Sequence, residues 1–282
     1  MNIIQALDDQ HLFAPHFRGE SWLPWRSFLK ALFALPMLPD DLERYRRHTG
    51  RTSPPDKPFT EAVLICGRRA GKSLNLALIA VFLATFKDYR KFLAVGEVAT
   101  IAVLASNRDQ ARSIFRYISG LLKVIPLIEP MVEDANTETI TLSNRVVIEI
   151  ATASFRTTRG YSLAAVLCDE SAFWHSSETS ANPEKEILRA LRPGMSTIPG
   201  AMMLLASSPY AKRGSLYDAF RRHFGKDDAK VLVWKATSSE MNPLVPAEII
   251  TEAYESDYQA ARSEYGAEFR DDLADYMRLT KI

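Results

Sequence analysis

The chain has 282 residues, 47% of them hydrophobic, which suits one large α/β domain or two small ones and excludes a disordered protein. Its 35 Lys and Arg residues are matched by 34 Asp and Glu residues, which excludes a uniformly basic coat, so any DNA-binding surface must be local. The two cysteines, Cys66 and Cys168, lie in separate apolar runs, which argues against a disulfide framework and favours a reducing cytoplasm. The longest apolar stretch, Leu74 to Phe86, is too short for a membrane span.

Apolar runs of strand length alternate with helical segments along the chain. The spacing of apolar residues predicts helices from Glu20 to Leu38, Asp40 to His48, Lys72 to Phe86 and Arg108 to Val124. The predicted strands are Ala62 to Cys66, Thr100 to Ala105, Val146 to Ala151, Leu163 to Cys168, Ala201 to Ala206 and Lys230 to Trp234. From about Ala247 the sequence becomes helical and acidic, as a solvated helical face would be. The alternation predicts an α/β fold with a mostly parallel central sheet covered by helices.

A Gly-Lys-Ser sequence follows the first predicted strand and opens the next helix. The loop consists of Gly67, Arg68, Arg69, Ala70, Gly71, Lys72 and Ser73, and Cys66 occupies the first glycine position of G-x-x-x-x-G-K-S. Backbone N–H groups of such a loop hold phosphate oxygens, Lys72 can reach the β- and γ-phosphates, and Ser73 can supply a hydroxyl to Mg²⁺. The sequence therefore predicts a variant P-loop that binds ATP, the alternative being a chance Gly-Lys-Ser at a helix start.

Two carboxylates follow the strand that ends at Cys168. Asp169 is expected in the Mg²⁺ shell, and Glu170 is expected to polarise the water that attacks the γ-phosphate. A kinase, which transfers the phosphate to another substrate, would not need Glu170 in this role. The alternative is an ordinary acidic turn after a strand.

Two further segments complete a set of motifs. An Arg159-Gly160 turn follows two threonines and could project its guanidinium to an interface, and another strand ends in Ser207-Ser208-Pro209. The motifs GRRAGKS, TTRG, LCDESAFW, LLASSPYAKRGSLYD, MNP and EYGAEFRDD follow one another in that order. This order resembles the ATPase domain of the large terminase subunit of tailed bacteriophages, over roughly Leu12 to Tyr276.

The resemblance implies an additional-strand (ASCE) P-loop NTPase in which the Ser-Ser-Pro strand lies between the P-loop strand and the Asp-Glu strand. By the resemblance, Ser207, Ser208 and Pro209 match the coupling motif, and Arg68 the catalytic P-loop arginine. Arg159 matches an arginine finger that acts on the neighbouring subunit. The expected segments are an N-terminal helical segment (1–58), the P-loop ATPase core (59–239) and a C-terminal helical lid (240–282).

The resemblance also implies a function and a set of partners. The expected activity is ATP hydrolysis coupled to translocation of double-stranded DNA into a procapsid, in the cytoplasm of a bacterial host. Expected partners are the portal protein, the small terminase subunit and further copies of the chain in a ring, without a membrane. The family's nuclease domain is not expected in this chain. The alternatives are a helicase-like DNA-dependent ATPase and a truncated prophage remnant that keeps only the nucleotide-binding fold.

Local basic residues are the candidates for DNA contact, because a translocating motor should grip phosphates rather than read bases. The candidates are Arg189, Arg192, Lys212, Arg213, Arg221 and Arg222. The alternative is that they are ordinary solvated side chains on helix faces.

Overall fold

The computed structural model describes residues 1–152, 161–174 and 183–270, in which strands and helices alternate along the chain. The strands in this part of the chain are β1 (Glu61–Cys66), β2 (Ala99–Ala105), β3 (Val132–Ala135), β4 (Thr139–Leu142), β5 (Val146–Thr152), β6 (Ser162–Asp169), β7 (Met202–Ser207) and β8 (Val231–Ala236). The helices are α1 (Ile3–Asp8), α2 (Leu23–Leu32), α3 (Pro39–Thr49), α4 (Lys72–Phe86), α5 (Arg108–Val124), α6 (Pro183–Met195), α7 (Gly214–His223), α8 (Ser238–Met241), α9 (Ala247–Ser256) and α10 (Tyr258–Glu264). All six predicted strands are present.

The residues group into two compact units. The first comprises Met1–Arg18, Ser73–Asp169 and Trp174–Leu204. Its strands follow the order β3-β4-β5-β2-β6, ending with the start of β7. Strand β2 is parallel to both β5 and β6, and β4 is antiparallel to β3 and β5. Helix α5 packs on β2 and β5, and α6 packs on β6. The predicted parallel sheet is therefore confirmed, with an additional antiparallel edge.

The second unit comprises Gly19–Lys72, Glu170–Phe173 and the residues from Leu205 onward. It contains the end of β7, then β1 and β8, which are parallel to each other. Helix α3 packs on β8, and α7 packs on β1 and β8. In the strand order, β7 stands between β6 and β1, which confirms the order that the resemblance implies.

Helix α2 ends earlier than its sequence predicts. Its last residue is Leu32, and Ala34 adopts a positive φ of 51°, a backbone conformation that cannot continue a right-handed helix. The predicted helix to Leu38 is wrong at this end. Its buried face is confirmed, because Trp25, Phe28 and Leu29 are all buried.

An aromatic cluster forms part of the core of the second unit. The ring of Trp25 meets Phe28 edge-on at 5.9 Å, and Phe28 meets Trp234 edge-on at 5.6 Å. His48 lies 5.0 Å from Trp234 on the other side. These contacts join α2, β8 and α3, so the cluster fixes the position of α2 against the strand beside β1.

Both cysteines, Cys66 and Cys168, are buried free thiols. Within the described ranges, no helix combines the length and the apolar character needed to cross a membrane.

Candidate functional site

The P-loop leaves the end of β1 and enters α4 through two residues with left-handed backbone. Arg69 has a φ of 61° and Gly71 a φ of 97°. Gly67 lies under the C-terminal segment, because a Cβ there would stand 2.2 Å from Ser238 Oγ and 2.8 Å from the Tyr265 carbonyl oxygen. A side chain at this position would clash, which explains the glycine directly after Cys66.

Three consecutive carbonyl groups of the loop accept hydrogen bonds from side chains of the second unit. Ser238 Oγ donates to the carbonyl of Arg68 (2.7 Å), Asn242 Nδ2 to that of Arg69 (2.8 Å) and Trp25 Nε1 to that of Ala70 (2.9 Å). We call Trp25, Ser238 and Asn242 the carbonyl clamp. None of the three was identified from the sequence as a site residue.

Lys72 holds its ammonium group against the loop. Its Nζ donates to the carbonyl oxygens of Cys66 and Gly67, both at 3.0 Å, and lies 3.9 Å from Glu170 Oε1. Burial raises the pKa of the Cys66 thiol to about 12, so the sulfur stays neutral beside Lys72. Lys72 is only 5% exposed, and a buried cation of this kind favours an anionic ligand.

Glu170 is held by a buried serine. Ser207 Oγ lies 3.0 Å from Glu170 Oε2 and 2.8 Å from the carbonyl oxygen of Ser208, and Ser207 is fully buried. A hydroxyl carries one hydrogen, so Ser207 can donate to only one of these acceptors at a time. Glu170 also has a positive φ of 46°, which is strained for a residue other than glycine. The sequence prediction brought Glu170 and Ser207 to the same strand edge, and the structure joins them by this bond.

Ser73 and Asp169 form a pair within the first unit. Ser73 Oγ donates to Asp169 Oδ2 at 3.0 Å, and Asp169 is only 5% exposed. Trp174 Nε1 donates to the backbone carbonyl of Asp169 at 2.9 Å and so fixes the end of β6. Hydroxyl and carboxylate oxygens are the ligands that Mg²⁺ prefers, so the pair fits the predicted metal site.

Arg68 pairs with the C-terminal helices. Its guanidinium Nη1 lies 3.0 Å from Glu264 Oε1, and its backbone N–H donates to the Glu264 carbonyl. The backbone N–H of Ser238 donates to the carbonyl of Tyr265 at 2.9 Å. The segment at the end of α10 therefore contacts both the loop and α8, which is the region that the sequence predicts as a lid.

The remaining predicted residues differ in their surroundings. Ser208 is buried, and the Pro209 carbonyl accepts a hydrogen bond from Ser263 Oγ. Arg159 lies outside the described residues. The six candidates for DNA contact are all exposed; Arg189 and Arg192 lie on α6, Lys212 and Arg213 precede α7, and Arg221 and Arg222 lie in its last turn.

Solved structures of phage terminases share this fold. A point mutant of the large terminase ATPase domain of Thermus phage P74-26 has a TM-score of 0.61 and 18% identity, covering 86% of this chain and 98% of its own. The large terminase of a thermophilic bacteriophage in complex with ADP has a TM-score of 0.54 and 14% identity, covering 74% and 48%. For the HK97 bacteriophage large terminase the TM-score is 0.54 and the identity 14%, covering 88% and 53%. This chain thus spans about half of the ADP-bound terminase and of the HK97 terminase.

The sequence matches the family described as terminase large subunit, ATPase domain, over residues 49–226. No curated protein matches it. The match favours the terminase interpretation over the helicase-like alternative, and the fold is that of an ASCE P-loop NTPase. Because the match extends over more than half of the sequence, the chain belongs to the family of terminase large subunit ATPase domains.

Proposed function

We propose that this chain hydrolyses ATP with Mg²⁺ and that hydrolysis drives double-stranded DNA into a phage procapsid. One observation carries the proposal: the buried ammonium of Lys72 lies on the P-loop, 3.9 Å from the carboxylate of Glu170. A phosphate-binding cation and a water-activating carboxylate are the two groups that ATP hydrolysis requires from the protein. Membership of the terminase family supports the same conclusion.

The P-loop binds the phosphates of ATP in this proposal. Backbone N–H groups of Arg69, Ala70 and Gly71 and the N-terminus of α4 carry partial positive charge toward them. Lys72 exchanges its bonds to two backbone carbonyls for bonds to phosphate oxygens, which are stronger because both partners are charged. Arg68 supplies a further positive charge once it leaves Glu264.

Ser73 and Asp169 would hold Mg²⁺ through their side-chain oxygens. Each belongs to the same unit, and each follows or precedes a site residue directly in sequence, Ser73 after Lys72 and Asp169 before Glu170. The metal, when bound, neutralises negative charge on the phosphate oxygens.

Glu170 orients the attacking water and takes up its proton. The water oxygen bonds to the γ-phosphorus as the bond from that phosphorus to the β–γ bridging oxygen breaks. Ser207 holds the carboxylate by its Oε2 atom and leaves Oε1 on the side of Lys72. Because Ser207 can turn to the Ser208 carbonyl instead, a change at Glu170 alters the hydrogen bonding of the coupling motif.

The assembled motor in this proposal is a ring of copies of this chain on the portal protein, with the small terminase subunit. It acts in the cytoplasm of the bacterial host. Arg159 of one subunit serves the ATP site of its neighbour, and exposed arginines contact DNA phosphates.

Substitution of Lys72 and Glu170 separates ATP binding from hydrolysis. We expect Lys72→Ala and Glu170→Gln both to lower the ATPase rate at least about a hundredfold, because each removes a group that acts on the transition state. Only Lys72→Ala should also weaken ATP binding strongly, since Glu170 acts on the water. Phosphate release and calorimetric titration with ATP measure the two effects.

The exposed acid Glu252 on α9 offers the matched control Glu252→Gln, which should hydrolyse ATP at the rate of the unmodified chain. Normal turnover by Lys72→Ala or Glu170→Gln would refute the assigned roles.

Removal of Arg221 and Arg222 tests the DNA surface. The double substitution to alanine should weaken binding to double-stranded DNA and make the slope of log affinity against log salt shallower by up to about two, one for each lost phosphate contact. The control replaces Arg46 and Arg47, which lie in the last turn of α3, by alanine. Fluorescence anisotropy over a salt series measures both, and equal slopes for the two variants would exclude this surface.

Mixing two inactive variants tests whether Arg159 acts in trans. Arg159→Ala and Glu170→Ala chains are each expected to be inactive as rings, because an arginine finger contributes on the order of 10³-fold or more in rate. In a mixed ring, an intact Arg159 can face a neighbour's intact Glu170, so part of the ATPase activity should return. If ring assembly is verified and no activity returns, Arg159 does not act on the neighbouring subunit.

A further inference from the structure

The carbonyl clamp determines the direction of three consecutive peptide groups. In a planar trans peptide, the C=O and the N–H of the same unit point in opposite directions. The described residues contain no cis peptide bond. With the carbonyls of Arg68, Arg69 and Ala70 held by the clamp, the N–H groups of Arg69, Ala70 and Gly71 must point to the opposite side of the loop.

Arg69 needs the clamp most. Its φ of 61° costs roughly 1 kcal/mol or more for a residue with a Cβ, and such a conformation persists only when its surroundings impose it. Asn242 Nδ2 binds the carbonyl of this same residue. Without the clamp, the peptide could turn and present a carbonyl oxygen to the phosphate, which would repel it.

The clamp residues stand on rigid supports. Trp25 is 2% exposed and belongs to the aromatic cluster with Phe28 and Trp234. Ser238 and Asn242 flank α8, which begins with a capping box between Thr237 and Glu240. The backbone N–H of Asn242 also donates to the Ser238 carbonyl at 2.8 Å.

The two supports are joined to each other. Helix α8 packs on α2, and Trp234 Nε1 donates to Met241 Sδ at 3.3 Å. The aromatic cluster therefore connects the donor on α2 with the two donors beside α8, so the clamp is built as one unit around the outside of the loop.

We infer that Trp25, Ser238 and Asn242 are positioning residues for ATP, which preorganise the phosphate-binding N–H groups from outside the loop. The inference rests on the proposed function, because it assigns the role of these residues at the same site. A preorganised loop does not have to reorient its peptides when phosphate binds, so the clamp acts on affinity. It holds the loop alike with ATP and with the transition state, which predicts a change in KM rather than in kcat.

The test replaces Trp25 by phenylalanine, which keeps an aromatic ring and removes the N–H. We expect the Kd for ATP and the KM to rise roughly three- to tenfold, the range for one lost hydrogen bond, with kcat changed by less than about twofold. Calorimetric titration with a non-hydrolysable ATP analogue and steady-state ATPase assays measure these values.

Trp234→Phe is the matched control. It makes the same substitution in the same buried cluster, but its N–H meets a sulfur atom instead of the loop. Both variants should lower the melting temperature, and only Trp25→Phe should raise the Kd. Asn242→Ala, a change at a partly exposed residue that removes another clamp bond, should raise the Kd in the same direction and serves if Trp25→Phe does not fold.

The outcomes separate the two proposals. If the unmodified chain binds and hydrolyses ATP but Trp25→Phe and Asn242→Ala keep its Kd, the clamp inference is overturned and the proposed function stands. An equal rise of the Kd in Trp234→Phe would also overturn it, because the effect would then be one of general packing. Failure of the unmodified chain to bind ATP would overturn both proposals.

Discussion

The direction of three peptide groups between Arg68 and Gly71 is the constraint on which the rest of the candidate site depends. Their carbonyls are bound by Ser238, Asn242 and Trp25, so their N–H groups point the other way. Lys72, which follows directly, places its ammonium against the first carbonyls of the loop, where burial keeps it away from water. A short stretch of backbone thus presents donors and a cation, which is the arrangement that phosphate requires.

The same constraint connects the loop to the coupling motif. The end of α10 binds the loop through Glu264, while Ser263, one residue earlier, donates to the Pro209 carbonyl. The backbone N–H of Arg270 donates to the carbonyl of Tyr210 at 2.7 Å. The C-terminal helices therefore hold both the phosphate loop and the segment after β7. In the proposed motor, this shared support is the physical route by which a change at the phosphates reaches the coupling motif.

The sequence predicted the parts of the molecule whose signal is local. Strands β2 and β6 are buried along their whole length and so appear as continuous apolar runs, and the residues that follow β1 and β6 indicated the P-loop and the Asp169-Glu170 pair. Strand β3 escaped prediction because it is short and three of its four residues are exposed. The carbonyl clamp escaped because its hydrogen bonds span 45, 170 and 173 residues, and a contact over such a distance leaves no periodic pattern.

Amide chemical shifts in the phosphate loop test the central claim most directly. The account predicts that a non-hydrolysable ATP analogue with Mg²⁺ shifts the ¹⁵N and ¹H resonances of Arg69, Ala70 and Gly71 strongly, because their N–H groups bind phosphate oxygens. Amides on the far side of the second unit, such as those of α3, should shift little. Binding of the analogue that leaves the three loop amides unchanged would contradict the account.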